Sequence, residues 1–222
     1  MAKRALIVWG GWDGHDPEAV ARHLAEMLTA EGFDVEVSHT LDSLRDLEAL
    51  KRLSLIVPVW TMGQIAGDQV GALCAAVESG VGIAGCHGGM CDAFRDATDY
   101  QLMTGGQWVA HPGNDDVEYT VRVTDRDHYV TRGLPDFTVR SEQYYLHVDP
   151  SNRVLAVTRF PVADGPHTPN GAFDMPVVWT RFHGAGRVFY CSLGHNAAIV
   201  AMPEAHEIMR RGLLWASRAV ES

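Results

Sequence analysis

Three histidines of this 222-residue chain come soon after apolar runs, where an imidazole could transfer protons or bind a ligand. His15, His87 and His195 follow segments whose continuous apolar character is typical of strands buried on both faces. In open α/β sheets the carboxyl ends of parallel strands meet at one edge, which is where ligands bind. We therefore expect the three imidazoles in one cleft, with His87 and His195 less than ~15 Å apart, as one small-substrate pocket requires.

The apolar strand that ends at Ala84 opens into a glycine-rich turn, Gly85-Cys86-His87-Gly88-Gly89. A Gly-x-nucleophile-x-Gly pattern after a buried strand makes a sharp strand-to-helix turn that lifts the central side chain above the sheet edge. The spacing puts His87 at this apex, because Cys86 would need a glycine at position 84. A histidine there acts as a general base, hydrogen-bond donor or metal ligand. The alternatives are a turn histidine satisfied by backbone carbonyls and a nucleophilic Cys86, for which a buried structural thiol is the simpler role.

The elements that position these residues alternate between apolar strands and amphipathic helices in the first half of the chain. This alternation predicts an α/β fold with a doubly wound, mostly parallel sheet. We find no repeat, low-complexity segment or linker, so residues 1–222 are predicted to form a single domain. Helices are predicted from Pro17 to about Gly32, over Leu41–Leu53, around Val70–Val77 and over Pro203–Ala219, with a loop over Pro161–Met175 and a C-terminal hairpin around Gly184–Gly186 before the last helix.

Charge and composition exclude several classes of partner. The formal net charge is −10 and 46% of the residues are hydrophobic. A nucleic acid or an anionic membrane surface needs a basic face, so neither is expected as a partner. We expect neither a signal peptide nor a membrane span, because the first apolar run is too short for either. The four cysteines form no Cys-x-x-Cys pair, which favours reduced thiols and a cytoplasmic location.

Several motifs in order along the chain resemble those of the trehalose-utilisation (ThuA-like) family. The glycine-rich turn is similar to the family's Gly-Leu-His-Gly-Gly, and further segments match along nearly the whole chain. These segments are Gly105-Gly106-Gln107-Trp108-x-x-His111-Pro112, His128–Phe137, Glu142-x-Tyr144, Pro176–His195 and Trp215-Ala216. Two positions depart from the family pattern: Ser141 stands where the family has an acidic residue, and Tyr129 stands where it has proline.

The resemblance implies a flavodoxin-like, class I glutamine amidotransferase-like fold without the amidotransferase cysteine. It also implies a role in sugar catabolism, and it adds His111, Glu142 and Tyr144 to the candidate residues. The loss of a carboxylate at Ser141 makes a two-carboxylate glycosidase mechanism less favourable.

The candidate residues divide into two groups. His87, Glu142 and His195 are predicted to be catalytic, since imidazole and carboxylate groups suit acid–base chemistry on a polyhydroxylated substrate. Tryptophan rings such as Trp60 can stack on a sugar ring, although they are also common in cores. The residues predicted to bind substrate are His15, Trp60, His111 and Tyr144.

A divalent metal such as zinc is the alternative occupant of this site, because several histidines and a glutamate are suitable donors. The donors are scattered, however, and the chain has no tight signature of the His-Glu-x-x-His kind. The metal ligands are therefore unknown from the sequence.

The sequence thus favours a cytoplasmic enzyme that acts on a small-molecule carbohydrate, a sugar or oxidised sugar derivative, by His/Glu acid–base chemistry. Its reaction would be that of a hydrolase, lyase or isomerase. The alternative is a non-catalytic sugar-binding or regulatory protein on the same fold, and a glutamine amidotransferase is disfavoured by His87 at the turn. Apolar residues in Phe160–Met175 and around Tyr144-Tyr145 suggest a homo-oligomer, most simply a two-fold dimer.

Overall fold

The computed structural model describes residues 3–220, which form an α/β fold around a mixed nine-stranded sheet, with a separate two-stranded sheet beside it. The strands are β1 (Arg4–Gly11), β2 (Asp34–Ser38), β3 (Leu55–Thr61), β4 (Gly82–Cys86), β5 (Gly106–Ala110), β6 (Val117–Val123), β7 (Phe137–Ser141), β8 (Tyr145–Val148), β9 (Arg153–Phe160), β10 (Phe173–His183) and β11 (Gly186–Cys191). The helices are α1 (Pro17–Ala30), α2 (Leu47–Leu50), α3 (Gly67–Glu78), α4 (His87–Cys91), α5 (Thr98–Thr104), α6 (Ala197–Val200) and α7 (Pro203–Ala216).

The large sheet has the strand order β2-β1-β3-β4-β11-β10-β9-β6-β7. The strands from β2 to β11 pair in parallel. Those from β11 to β7 pair antiparallel, so that β10 and β11 run in opposite directions. The prediction of a mostly parallel sheet therefore holds for one half only. Along β6, buried and exposed residues alternate, which is the pattern of an antiparallel strand with one face in water.

Helices cover both faces of the parallel half of the sheet. Successive residues of β1 point to opposite faces, because side chains alternate along a strand. Ile7 joins the apolar cluster that includes residues of α1 and α7, whereas Leu6 and Val8 join the cluster that includes residues of α3 and α5. Burial on both faces leaves the strand ends as the places where polar side chains of the central strands can reach solvent.

The segment predicted as one helix over Leu41–Leu53 is two short pieces. A 3-10 turn covers Leu41–Leu44 and α2 covers Leu47–Leu50. The side chain of Asp46 caps α2 by accepting a hydrogen bond from the Ala49 N–H, and aspartate favours such a cap over a helix interior. The last helix also ends earlier than predicted, at Ala216.

The aromatic residues that suggested a dimer pack within the chain. The Tyr145 ring lies 5.4 Å from that of Phe160 and 6.1 Å from that of Phe173, and Phe160 is fully buried. The loop predicted over Pro161–Met175 ends early, because β10 begins at Phe173. Between residues 3 and 220, no helix has the length and apolar character needed to cross a membrane.

Candidate active site

The glycine-rich turn after β4 carries His87 directly above the strand. α4 begins at His87, whose φ of 49° is in the left-handed region that favours glycine. Glycine at position 89 lets the turn pack closely against the neighbouring strand β3, because a Cβ there would lie 3.0 Å from Cα of Val59. Close packing of the turn against β3 thus fixes the height and direction of the His87 imidazole.

Four imidazoles surround one carboxylate oxygen at this edge of the sheet. His87 Nε2 lies 3.0 Å from Glu142 Oε2, and His111 Nδ1 lies 3.4 Å from it. His195 Nδ1 and His15 Nε2 lie 3.6 Å and 3.7 Å from the same oxygen. We call these five residues, His15, His87, His111, Glu142 and His195, the histidine–glutamate cluster.

The cluster is assembled from distant parts of the chain. His15 ends a 3-10 turn that follows β1, and His195 lies four residues after β11. His111 follows β5 directly, whereas Glu142 follows β7, the edge strand on the antiparallel side of the sheet. The chain between β7 and β8 carries Glu142 back to the cluster, where the phenol of Tyr119 donates to its backbone carbonyl at 2.9 Å.

Hydrogen bonds on the far sides of two rings orient the imidazoles. His87 Nδ1 lies 2.8 Å from the Ser192 carbonyl oxygen, which can only accept, so this nitrogen carries the proton of the neutral ring. His15 Nδ1 pairs with Thr61 Oγ1 at 2.9 Å. The Nε2 atoms of His87 and His15 are therefore the ones that face Glu142.

Burial and mutual contact shift the proton affinities of the cluster. Burial alone would raise the pKa of Glu142, but contact with His15, His195 and His87 holds that pKa well below its usual range. Burial lowers the pKa of His87 to about 4, although Glu142 partly opposes this. Contact with the Glu142 carboxylate raises the pKa of His195. At neutral pH the cluster therefore combines an ionised carboxylate, a neutral imidazole at His87 and a more basic one at His195.

Aromatic rings form the walls around the cluster. Tyr144 stacks on His87 with ring centroids 4.0 Å apart, and Trp108 lies 5.3 Å from His111. Trp12, which is 45% exposed, meets His15 edge-on at 4.7 Å. Two indole rings thus flank the cluster, and that of Trp12 is open to solvent.

Trp60, predicted to contact substrate with the others, faces a different part of the surface. It lines a groove of about 480 Å³ together with residues such as Leu41 and Gln64, and no residue of the histidine–glutamate cluster lines that groove. Thr61, the next residue, is the one that reaches the cluster, through its bond to His15. The sequence could have indicated Thr61 as a site residue, because it is a polar residue at the carboxyl end of a buried strand.

Cys86 is enclosed between the turn and the loop that follows β11. Its side chain is buried, and a Cβ placed on Gly194 would meet its sulfur at 2.9 Å. Burial raises the pKa of the Cys86 thiol to about 12. The thiolate needed for nucleophilic attack is therefore strongly disfavoured at this position.

Gly88→Ala tests how tightly the turn packs against His15. The added Cβ would lie 2.7 Å from the His15 ring and 2.9 Å from Thr61 Oγ1. We expect a loss of about 1–3 kcal/mol of unfolding free energy, as for other overpacked sites. Denaturant titration measures this loss, and the imidazole signals in nitrogen NMR should show that His15 has moved.

Gly71→Ala in α3 is the matched control, because nothing lies within 4 Å of a Cβ placed there. This substitution is expected to leave stability unchanged or to raise it by up to about 1 kcal/mol, since alanine favours helix interiors. Equal stability of the two variants would contradict the close packing of Gly88 against His15.

Solved structures share this fold at low sequence identity. A putative ThuA-like protein from Bacteroides uniformis has a TM-score of 0.78 and 18% identity, with 96% of this chain and 91% of that chain covered. A putative ThuA-like protein from Parabacteroides merdae has a TM-score of 0.77 and 17% identity, with 99% of this chain and 91% of that chain covered. A cytoplasmic protein from Salmonella typhimurium has a TM-score of 0.66 and 13% identity, covering 99% and 100%. These likenesses establish the fold alone.

No curated protein matches the chain significantly in sequence. The model of the ThuA family, described as trehalose utilisation, matches residues 4–216, which is nearly the whole chain. The matched region includes every residue of the histidine–glutamate cluster. This protein is therefore a member of the ThuA family.

Proposed function

We propose that this protein is an enzyme of carbohydrate metabolism that acts on a sugar or an oxidised sugar derivative at the histidine–glutamate cluster. The observation that carries the proposal is the convergence of four ring nitrogens on Glu142 Oε2, all within 3.7 Å. Burial of so many ionisable groups is costly, and such arrangements occur mainly at functional sites. The family description, trehalose utilisation, supports a carbohydrate as the substrate.

The proposed chemistry is proton transfer by His87, Glu142 and His195. Contact with the imidazoles keeps the pKa of Glu142 low, so its carboxylate stays ionised and stabilises the protonated form of a neighbouring imidazole. The raised pKa of His195 suits it to donate a proton. A hydrolase, a lyase or an isomerase of sugars requires such paired transfer.

The substrate is proposed to reach the cluster from the side of His111 and His195. Their side chains are 28% and 13% exposed, compared with 2% for His87. The exposed indole of Trp12 offers an apolar face on which a sugar ring can stack. Tyr144 is almost fully buried, so we assign it to holding the His87 ring rather than to direct sugar contact.

A glutamine amidotransferase is disfavoured, because the apex of the turn is His87 and the neighbouring Cys86 is a buried thiol with a raised pKa. The remaining alternative is a sugar-binding or regulatory protein without catalysis. Trp12 and Trp108 favour sugar binding equally under both proposals, whereas the buried ionisable cluster favours catalysis.

A cytoplasmic location and a homodimer complete the proposal. The Salmonella protein of the same fold is named as cytoplasmic. Phe182 in β10 is 60% exposed and Val162 is 52% exposed, which leaves apolar surface that a second copy could cover.

The function is tested with a panel of disaccharides that includes trehalose and its oxidised keto derivatives. Mass spectrometry measures product formation, and thermal unfolding measures binding. We expect product from the wild type and a loss of about 10²–10⁴-fold in rate for His87→Ala. His147→Ala, which removes an exposed imidazole from β8, is the control and should keep the wild-type rate. Stabilisation by a sugar without product, in wild type and His87→Ala alike, would establish the binding alternative instead.

A further inference from the structure

We infer that the histidine–glutamate cluster binds one divalent transition-metal ion, with His15 Nε2, His87 Nε2, His195 Nδ1 and Glu142 Oε2 as its ligands. This inference deepens the proposed function and rests on it only for the substrate. The first support is geometric: one donor atom from each of the four residues lies within 4.8 Å of all the others.

The spacing of the donors fits a coordination shell. Ligands about 2.0–2.1 Å from a tetrahedral zinc ion lie about 3.3–3.4 Å from one another. The distances from Glu142 Oε2 to the three nitrogens are 3.0 Å, 3.6 Å and 3.7 Å. Small movements of the side chains would therefore place all four atoms on one ion.

The hydrogen bonds on the far side of two rings also fit metal ligation. A metal-bound histidine almost always gives its other ring nitrogen to a carbonyl, a carboxylate or a similar acceptor. His87 gives Nδ1 to the Ser192 carbonyl, and His15 pairs Nδ1 with Thr61 Oγ1. In the neutral His87 ring, Nε2 then carries a lone pair that points at a carboxylate 3.0 Å away. A cation between these atoms turns that repulsion into two bonds.

Other donor atoms of the cluster are buried without a partner. Among the residues that the structure describes, His15 Nε2 and His195 Nδ1 have no hydrogen-bond partner. The side chain of His15 is 7% exposed, so water cannot satisfy it freely. Unpaired buried nitrogens that face the same carboxylate oxygen are the polar groups that a metal ion would satisfy.

The donor types select the class of metal. Imidazole nitrogens suit zinc, nickel, copper and iron, whereas magnesium and calcium prefer sites built from oxygen. The site offers three nitrogens and one oxygen, and Cys86 packs beneath it as a buried thiol. We therefore expect a borderline ion such as Zn²⁺ and not Mg²⁺.

With the ion bound, His87, Glu142 and His195 would serve as its ligands in place of the proton-transfer roles proposed above, and one imidazole would remain free for catalysis. His111 is the most exposed of the four imidazoles and is not part of the mutually close donor set. It would lie beside the ion, at the more exposed side of the cluster and near Trp108. A sugar that presents a carbonyl and a neighbouring hydroxyl group could place these oxygens on the ion, with His111 within reach for proton transfer.

The experiment uses the purified full-length chain, treated with a chelator and dialysed. ZnCl₂, CoCl₂ and MgCl₂ are titrated separately while calorimetry and the visible absorption of Co²⁺ are recorded. We expect one Zn²⁺ or Co²⁺ per chain and no binding of Mg²⁺. A hundredfold excess of free Zn²⁺ over its Kd should raise the Tm by about 5–10 °C.

Variants locate the ion. Glu142→Gln and His195→Gln should weaken Zn²⁺ binding by more than about 100-fold, and Thr61→Val, which removes the partner of His15, by about 10–100-fold. His23→Gln is the matched control, because His23 pairs with His206 on α7 at 3.2 Å, outside the cluster. Thr61→Val leaves all four donors in place, so it still tests the site if a variant of one of the ligands fails to fold.

The inference is overturned if the wild type binds less than about one tenth of an equivalent of Zn²⁺ and Co²⁺, or if His23→Gln weakens binding as much as Glu142→Gln. Metal content is measured without a sugar, so its outcome is separate from that of the sugar panel. Turnover by a wild type that binds no metal would support the proposed function and contradict the metal site. Stoichiometric binding of zinc without turnover of any sugar would support the metal site and contradict the proposed function.

Discussion

Glu142→Gln is expected to lower the rate of turnover by about 10²–10⁴-fold for the sugar that the wild type converts, which is the usual cost of losing an acid–base group. Glutamine keeps the shape of the side chain but removes the charge on which four imidazoles converge. The raised pKa of His195 depends first on its contact with Glu142, so the amide should also lower the proton affinity of that imidazole. Product formation in the sugar panel measures the effect.

Glu118→Gln provides the matched control for this change. Glu118 lies on β6, and its carboxylate is 60% exposed beside Arg140. The same loss of one carboxylate should leave the rate unchanged and the stability within about 0.5 kcal/mol. If Glu142→Gln kept a rate within threefold of the wild type, the carboxylate could not be catalytic.

Trp179→Ala is expected to cause one of the largest losses of stability, about 3–5 kcal/mol, or a fall in Tm of about 6–20 °C. Trp179 is fully buried and packs against Tyr190 with ring centroids 4.2 Å apart. Its indole N–H donates to the Thr104 carbonyl at 3.1 Å, and its ring would lie 2.8 Å from a Cβ on Gly106. The indole therefore supports the turn from which β5 leads to His111.

Trp12→Ala makes the same truncation at an exposed tryptophan and should change stability by less than about 0.5 kcal/mol. The loss of stability for Trp179→Phe should lie between those of the two alanine variants. Phenylalanine keeps most of the apolar volume but leaves the Thr104 carbonyl without its hydrogen-bond donor. Thermal unfolding of the three variants gives the order. Equal Tm values for Trp12→Ala and Trp179→Ala would show that Trp179 contributes no more to stability than an exposed tryptophan.

The positions of three imidazoles could be predicted from the sequence because they depend on local pattern. A continuous apolar run indicates a strand covered on both faces, and the residue that follows it must leave the sheet at a known edge. His87 has the additional signal of flanking glycines, which the close approach of β3 requires. The rings of His87 and His195 lie 5.4 Å apart, well within the limit expected for one pocket.

The position of Glu142 could not be derived in this way. It follows β7, which lies at the edge of the sheet beyond four antiparallel pairings, and only the path of the chain to β8 brings it back to the cluster. That path depends on contacts between residues far apart in the sequence, such as the bond from Tyr119 to the Glu142 carbonyl. The family resemblance supplied Glu142 where patterning did not. Patterning also could not separate Trp60 from Thr61, because neighbouring residues of a strand point to opposite faces.

The left-handed backbone of His87 has a consequence for protein engineering. A non-glycine residue in this conformation lowers the stability of the fold by about 1–2 kcal/mol, a cost that glycine avoids. His87 nonetheless makes contacts that glycine would lack, because its ring pairs with the Ser192 carbonyl and stacks on Tyr144. Among other residues, asparagine and aspartate tolerate this conformation best, whereas a β-branched residue such as valine is strained in it. Redesign of the cleft at position 87 is therefore restricted to a few side chains, and glycine, asparagine and aspartate are the replacements that this backbone accepts.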